Sequence, residues 1–469
     1  MSALLSDADL NDFISPGLAC VKPAQAAKVE KNPSLELEVG VESNEPEKVS
    51  ISLQDCLACA GCITSSEEIL LSKQSHTVFL EKWNELRSQD IRSLAVSIPP
   101  QCRLSLANYY SMDLSSFDRC FQNFMKTKFE AKYVVGTQIG RSISVSRMNA
   151  TLKDKLPTAS GPVLCSVCPG FVLYAEKTKP ELLSRMLDVK SPQQITGSLL
   201  KQADPECYHL SVMPCFDKKL EASRDECDKE VDCVITPKEF VTMLRDQAVD
   251  FKSYMVDFDL SRELCPSGWD SDLHWLSNEG SSSGGYAYQY LLSLQASHAQ
   301  SHIITVEGKN SDVTEYRLVS DDNQVLATSS KVYGFRNIQN LVRKLSQSAS
   351  AKKRTIKVKK RGSEASRSGE STGRTNSSLL ADPAKTEFVE VMACPSGCIN
   401  GGGLLNEEQN ASRRKLLAQD LSNAYSKIQS VNISDVADEY DNKLNSFNYK
   451  FRVVEPSTSL DVVTVGNTW

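Results

Sequence analysis

The sequence predicts an α/β protein with parallel strands, and three observations predict it. Short segments rich in β-branched residues, SLAVSI (93–98), KYVVGTQI (132–139), PVLCSV (162–167), YHLSVM (208–213) and DCVIT (232–236), alternate with helical stretches. That rhythm is the one βα units take in a parallel sheet. Helix starts are marked between the strands: Thr236-Pro237-Lys238-Glu239 reads as a capping box with proline at the first helical position. Finally, three cysteine loops, SVCPGFVLYAEK, VMPCFDKKLE and EVMACPSGCINGGG, each follow a short apolar run. Ligand sites in α/β sheets gather at the carboxyl ends of strands. A length of 469 residues adds two or three domains as the prior.

Taken in order, residues 1–55 are polar, acidic and turn-rich, with little to build a core. Three cysteines occupy 56–62, and from about Arg92 the βα rhythm takes over. PELLSRMLD (180–188) and Tyr286–Gln295 read as helices, HIITVEGK and TEYRLVS as strands. Residues 346–380 are basic, Ser/Gly-rich and nearly free of large apolar groups, the composition of a disordered insertion. Its basic run, Lys352–Arg361, reads as a solvated loop before a nuclear-import or acidic-partner patch. TEFVEVMACPSGC returns to a strand entering a cysteine loop, and 404–430 read as an amphipathic, charged helix. There is no internal repeat.

Hydrophobic residues at 40% and charged residues at 24% are those of a soluble globular protein, and a net charge of −6 gives no reason to expect nucleic acid. No apolar run reaches the 18 or so residues of a membrane span. The opening MSALLSDADLNDF carries acids where a targeting peptide would carry Lys or Arg. The expected compartment is therefore the cytoplasm or the nucleus. Fifteen cysteines in a reducing compartment are not a disulfide framework.

Cys56-Leu-Ala-Cys59-Ala-Gly-Cys62 has the C-x2-C-x2-C spacing of ferredoxin-type 4Fe–4S sites, which wraps three corners of a cubane with one loop. Zinc sites more often use two separated C-x2-C pairs. Ser66 stands where a bacterial ferredoxin has its next cysteine, so the fourth thiolate comes from elsewhere. Cys20, after a Pro-Gly turn, and Cys102, at a predicted helix start, are the two candidates.

Cys168, Cys215, Cys394 and Cys398 number the four thiolates a second cubane needs. Pro169, Gly170, Pro214, Pro395, Gly397 and Gly401–Gly403 mark turns whose backbone amides can point at cluster sulfurs. Cys120, Cys207, Cys227, Cys233 and Cys265 lack partners at ligand spacing and read as buried or incidental thiols. His298 and His302 lack the third partner of a zinc-protease pattern.

These segments, together with SPQQITGSLLK and GTQIGRSISV, resemble the signature segments of iron-only hydrogenases over roughly residues 90–405. The resemblance implies a two-lobed α/β fold with a cubane between lobes on Cys168, Cys215, Cys394 and Cys398. Cys398 takes the place of the bridge to a di-iron unit, and Lys218 that of the lysine contacting its cyanide. Two features depart from the enzymes. Val167 stands where they carry a proton-donating cysteine, with Cys165 too far along the strand to replace it, and SISVSRMNA lacks their glutamates. A valine relays no proton.

The opening SDADLNDFISPGLACVKP, the CLACAGC run and the altered first signature together resemble the eukaryotic iron-only-hydrogenase-like proteins, the Nar-type cytosolic iron–sulfur assembly factors. That resemblance implies two 4Fe–4S clusters, one on Cys20, Cys56, Cys59 and Cys62 and the other on the hydrogenase-type cysteines. It divides the chain into an iron–sulfur segment (1–75), a hydrogenase-like region (90–405) and a C-terminal helix and tail (406–469). It also implies a non-enzymatic adapter role between an assembly scaffold, a targeting complex and apoprotein clients. A terminal Trp469 in a polar tail suits docking on that complex. The rival readings are a divergent hydrogenase-type redox enzyme and a zinc-structured interaction protein.

Overall fold

The computed structural model describes residues 73–89, 92–224, 230–355, 380–406, 410–440 and 448–453. Cys20, Cys56, Cys59, Cys62, Cys227 and Trp469 lie outside them, as does 356–379 of the expected insertion. The elements run α1 (His76–Ser88), β1 (Leu94–Ile98), α2 (Pro100–Tyr109), α3 (Leu114–Phe129), β2 (Ala131–Gly136), α4 (Gln138–Lys155), β3 (Val163–Cys165) and α5 (Pro169–Thr178). Next come α6 (Pro192–Ala203), β4 (Tyr208–Val212), α7 (Asp217–Ala222), β5 (Cys233–Ile235), α8 (Pro237–Asp246) and α9 (Tyr286–Gln295). The last are β6 (Ser301–Glu307), β7 (Val313–Ser320), β8 (Val325–Tyr333), α10 (Phe335–Thr355), β9 (Phe388–Met392), α11 (Ala411–Tyr425) and α12 (Ile433–Tyr440).

Two sheets give the molecule two lobes, each with its own core. The first sheet has the order β2-β1-β4-β5 and every pairing in it is parallel. Every residue of β1, β4 and β5 is buried. Helices cover both faces of such a sheet, so its strands read as unbroken apolar runs rather than alternating ones. An aromatic cluster fills one side, where Phe124 meets Phe240 and Phe129 edge to face at 5.8 and 5.5 Å.

The second sheet, β3-β9-β8-β7-β6, is mixed. β3, β9 and β8 are parallel, as the sequence rhythm predicts, but β8, β7 and β6 form an antiparallel meander. The reason is connection length. Residues 308–312 and 321–324 are hairpin-sized, far short of the dozen or more that a parallel crossover needs.

Three expectations shift at their edges. PELLSRMLD forms a 3-10 turn over Pro180–Arg185 instead of a helix, because the Leu187 amide donates to the Leu164 carbonyl and draws the chain out beside β3. α10 continues to Thr355, ten residues into the expected insertion. Buried Ile338, Leu341, Val342 and Leu345 pin its first half, and a Ser/Ala/Lys-rich sequence lets the helix run on. The charged helix expected over 404–430 spans only Ala411–Tyr425. Tyr286–Gln295 is a helix over the span expected, and the capping box at Thr236 and Glu239 is formed.

Among the buried polar groups, two histidines matter for stability. His209 on β4 uses both ring nitrogens, Nδ1 with the Glu230 carbonyl at 2.7 Å and Nε2 with Ser97 Oγ at 2.8 Å. Those partners fit a neutral ring that donates from Nδ1 and accepts at Nε2. Burial pushes its pKa down to about 4, and burial, then Arg103, pushes His274 down to about 3. Both rings take protons more readily when the chain unfolds. Stability is therefore complete above about pH 6.5, the ordinary histidine value, and is lost as pH falls toward 4. Thermal unfolding followed from pH 7.5 to 5 is expected to show a falling Tm, with a shallower slope in His209→Gln. An unchanged slope in that variant would remove His209 from the account.

Candidate metal centre

The strands aim three cysteine loops at one place between the sheets. Cys168 is the N-cap of α5, just beyond β3; Cys215 lies between β4 and α7; Cys394 follows β9. Cys398 sits in the 3-10 turn Gly397–Asn400. β3 and β9 are neighbours, with Cys165 opposite Glu390, so the two loops leave the second sheet side by side. Ser166 Oγ locks them together by donating to the Val391 carbonyl at 2.7 Å while accepting from the Cys168 amide at 3.2 Å. The Ala393 amide then donates to Cys168 Sγ at 3.5 Å.

The loop from the first sheet is tied in by backbone. The Gly403 amide donates to the Pro214 carbonyl at 2.9 Å. A Cβ on Gly401 would lie 2.3 Å from that same carbonyl oxygen, so the glycine run exists to let two backbones touch. At Gly397 the chain turns with φ +77°, and a Cβ there would meet Ser283 Oγ at 2.2 Å. Ser283 in turn accepts from the Cys398 amide at 2.9 Å.

The thiols lie close enough to raise one another electrostatically. Burial, then Cys398 and Asp217, pushes Cys168 up to about 12. Burial, then Asp217 and the other thiols, pushes Cys215 far above the usual thiol value. Burial, then Cys168 and Cys398, does the same to Cys394, and burial raises Cys398. Without a positive partner the four side chains stay protonated. A cation-rich group would take their protons' place, and backbone amides of Ala393 and Gly402 already face the sulfurs. The donor set thus fits an iron–sulfur cubane. Among the described residues no three His, Cys, Asp or Glu side chains close on a single point as one metal ion would require. A cubane spreads its four ligand sulfurs over its corners.

Lys218 lies beside this cradle, buried. Its Nζ donates to the Val167 carbonyl at 3.1 Å and to the Glu221 carboxylate at 2.8 Å. Burial opposes its charge, but Glu221 outweighs burial and the pKa is raised. Val167, Ser191, Glu221, Val189 and Tyr449 line a small cavity at this point, and its wall at 167 is a methyl pair in place of a thiol. Cys165 is buried in the β3 core.

Several contributors were not legible in the sequence. Ser283 touches the centre from a loop with no signature spacing, and Asp217, two residues beyond Cys215, opens α7 beside the thiols. Arg141 on α4 donates to Tyr425 of α11 at 2.6 Å, 284 residues away, and lies within electrostatic reach of Cys398. Cys102, weighed as a ligand for the N-terminal cysteines, is fully buried on α2 and is raised by burial and then by Cys398. It belongs to the surroundings of the second set.

Comparison with known proteins agrees with this geometry. The family model described as iron only hydrogenase large subunit, C-terminal domain, matches residues 92–402. A cytosolic Fe-S cluster assembly factor NAR1 of Kluyveromyces lactis is 78% identical over 469 residues, covering 100% of both chains. That of Saccharomyces cerevisiae is 50% identical over 494 aligned positions, again covering 100% of both. Among solved structures, an [FeFe]-hydrogenase studied for oxygen inactivation of its H cluster superposes with a TM-score of 0.59 at 18% identity, over 81% of this chain and 99% of that one. A variant of [FeFe]-hydrogenase HydA1 from Chlamydomonas reinhardtii gives 0.56 at 17%, over 77% and 94%. At those identities the likeness is one of fold.

Two outcomes follow from the cradle. Cys394→Ser with Cys398→Ser is expected to lower bound iron by about four atoms per chain, one cubane's worth, measured by elemental analysis of anaerobic protein. Gly401→Ala is expected to lower it in the same direction by forcing the Pro214 backbone away, with far-ultraviolet circular dichroism unchanged. Full iron retention in the double variant would refute the ligand set.

Proposed function

Because this chain belongs to the family of cytosolic iron–sulfur cluster assembly factors built on the iron-only hydrogenase fold, we propose that it is a cluster-bearing adapter that passes clusters to apoproteins without catalysing a reaction. The observation that carries this reading is the combination at the second centre. Four thiols converge at the mouth of the lobes, while the place for a proton donor is held by Val167. A hydrogen-evolving site needs a proton delivered at the metal, and a branched hydrocarbon delivers none.

Cys168, Cys215, Cys394 and Cys398 would hold one 4Fe–4S cluster, and Cys20, Cys56, Cys59 and Cys62 another. When bound, such clusters supply one-electron exchange and a reservoir of iron and sulfide. The chain's own residues do the remaining work. Cys168 is buried and the other three thiols are partly buried, amides of Ala393 and Gly402 donate to the Cys168 and Cys394 sulfurs, and Lys218 stays charged beside them through Glu221. Trp469 would dock in a pocket of a targeting complex, joining the protein to its clients. The compartment in this reading is the cytosol, where its relatives' names place them.

An infrared spectrum of anaerobic protein tests the choice between adapter and divergent hydrogenase. Absence of iron-bound carbonyl and cyanide bands, with about eight iron and eight sulfide per chain, is the expected result. Such bands would mean a di-iron unit and would reopen the enzyme; zinc in place of iron would favour an interaction module. Trp469→Ala is expected to abolish co-purification with the targeting complex while leaving iron content unchanged. Intact co-purification would mean that docking uses another surface.

A further inference from the structure

Four arginine or lysine residues are buried among the described residues: Arg103, Arg141, Lys218 and Lys219. Three of them sit against carboxylates, Arg103 on Asp118, Lys218 on Glu221 at 2.8 Å and Lys219 on Glu239 at 2.6 Å. Arg141, 2% exposed, has no carboxylate at ion-pair distance among the described residues. Its Nη1 donates to the Tyr425 hydroxyl at 2.6 Å and its Nη2 to the Ser282 carbonyl at 3.5 Å. Its Nε meets no hydrogen-bond partner there. An arginine keeps its proton wherever it lies, so burial leaves a full positive charge that only a negative group can answer.

The surroundings show where that group belongs. Ser283, next to Ser282, accepts from the Cys398 amide at 2.9 Å, so a single loop holds both the Arg141 guanidinium and a thiol of the second centre. Tyr425 fixes the guanidinium from the other side, passing its own hydroxyl proton to the Asn278 carbonyl at 3.3 Å. Burial raises the Cys398 thiol; Ser283, Lys218 and Arg141 pull it back, while Glu390 pushes with burial. Of these charges, Lys218 is answered by Glu221, and Glu390 by Tyr333, Ser281 and the Ala287 amide. Arg141 is left facing the thiols with its charge unmatched.

We propose that Arg141 is the counter-charge of the second centre, the fixed positive group set against the net negative charge of a cluster bound by four thiolates. The proposal rests on the cluster reading above for Cys168, Cys215, Cys394 and Cys398. An iron–sulfide core is cationic, but with four thiolates attached the whole is an anion, and net charge is one of the factors that set its reduction potential. An added electron turns one ferric iron ferrous and deepens that negative charge, with no bond broken. Arg141 therefore steadies the oxidised site and favours its reduction.

The test is a redox titration of full-length anaerobic protein with dithionite as electron donor. It follows the electron paramagnetic resonance signal that Cys394→Ser with Cys398→Ser removes. Arg141→Gln is expected to lower the reduction equilibrium constant about tenfold, or about 59 mV for a one-electron couple. That is the effect of a unit charge acting over roughly 12 Å at an effective dielectric of about 20. Arg141→Lys, which restores the charge, should stay close to the parent, and so should Tyr425→Phe, which removes a bond and keeps the charge. A parent-like or raised potential in Arg141→Gln, or an equal fall in Arg141→Lys or Tyr425→Phe, would overturn the counter-charge. Should Arg141→Gln not retain its iron, Arg141→Lys decides: iron retained there supports the charge, and iron lost in both overturns it. The underlying reading fails separately, when the parent shows no cluster signal that the cysteine double variant removes.

Discussion

Everything around the second centre answers one constraint: four thiols from three loops and two sheets, Cys168 buried and the other three partly so, must face one another. Burial alone drives these groups toward their neutral form, and their neighbours push them further. The fold cannot relieve that by moving them apart, because the loops are held by backbone bonds such as Gly403 to Pro214 and by the Ser166 clasp between β3 and β9. Positive charge held among them would relieve it. In the proposed reading a bound cluster would supply that charge, and Lys218 with its Glu221 partner supplies the fixed electrostatics beside it.

The same constraint explains where glycine and small residues occur. Gly401 and Gly397 are fixed by contacts with Pro214 and Ser283, since a side chain at either would separate the loops that carry ligands. Gly170 brings the start of α5 within reach of Asp217 and Ala393. These are sites of close backbone approach, and their cost in chain flexibility is offset by the hydrogen bonds they permit.

Much of this was legible in the sequence because local signals suffice for it. The βα rhythm gave the first sheet, the capping box gave the helix start at Pro237, and the cysteine loops lay after strands as expected. What could not be read was what depends on distant pairing. The antiparallel meander β6–β8 has more polar strands than the first sheet, and its short connections decide the pairing. Ser283 reaches the centre by tertiary folding with no spacing to mark it, whereas Asp217 and Arg141 lie inside signature-like segments and only the fold shows what they touch. The continuation of α10 into a basic, serine-rich segment shows a helix propagating from a buried first half, beyond what composition alone suggests.

The bond between Arg141 and Tyr425 has a consequence for how the protein is made. Tyr425 emerges from the ribosome long after Cys168 and Cys215, and Tyr449, whose amide reaches the Asp188 carbonyl, later still. A nascent chain therefore presents two of its four thiols with the remaining walls of the site unwritten. The pocket is finished only when the segments carrying Tyr425 and Tyr449 have folded back over it.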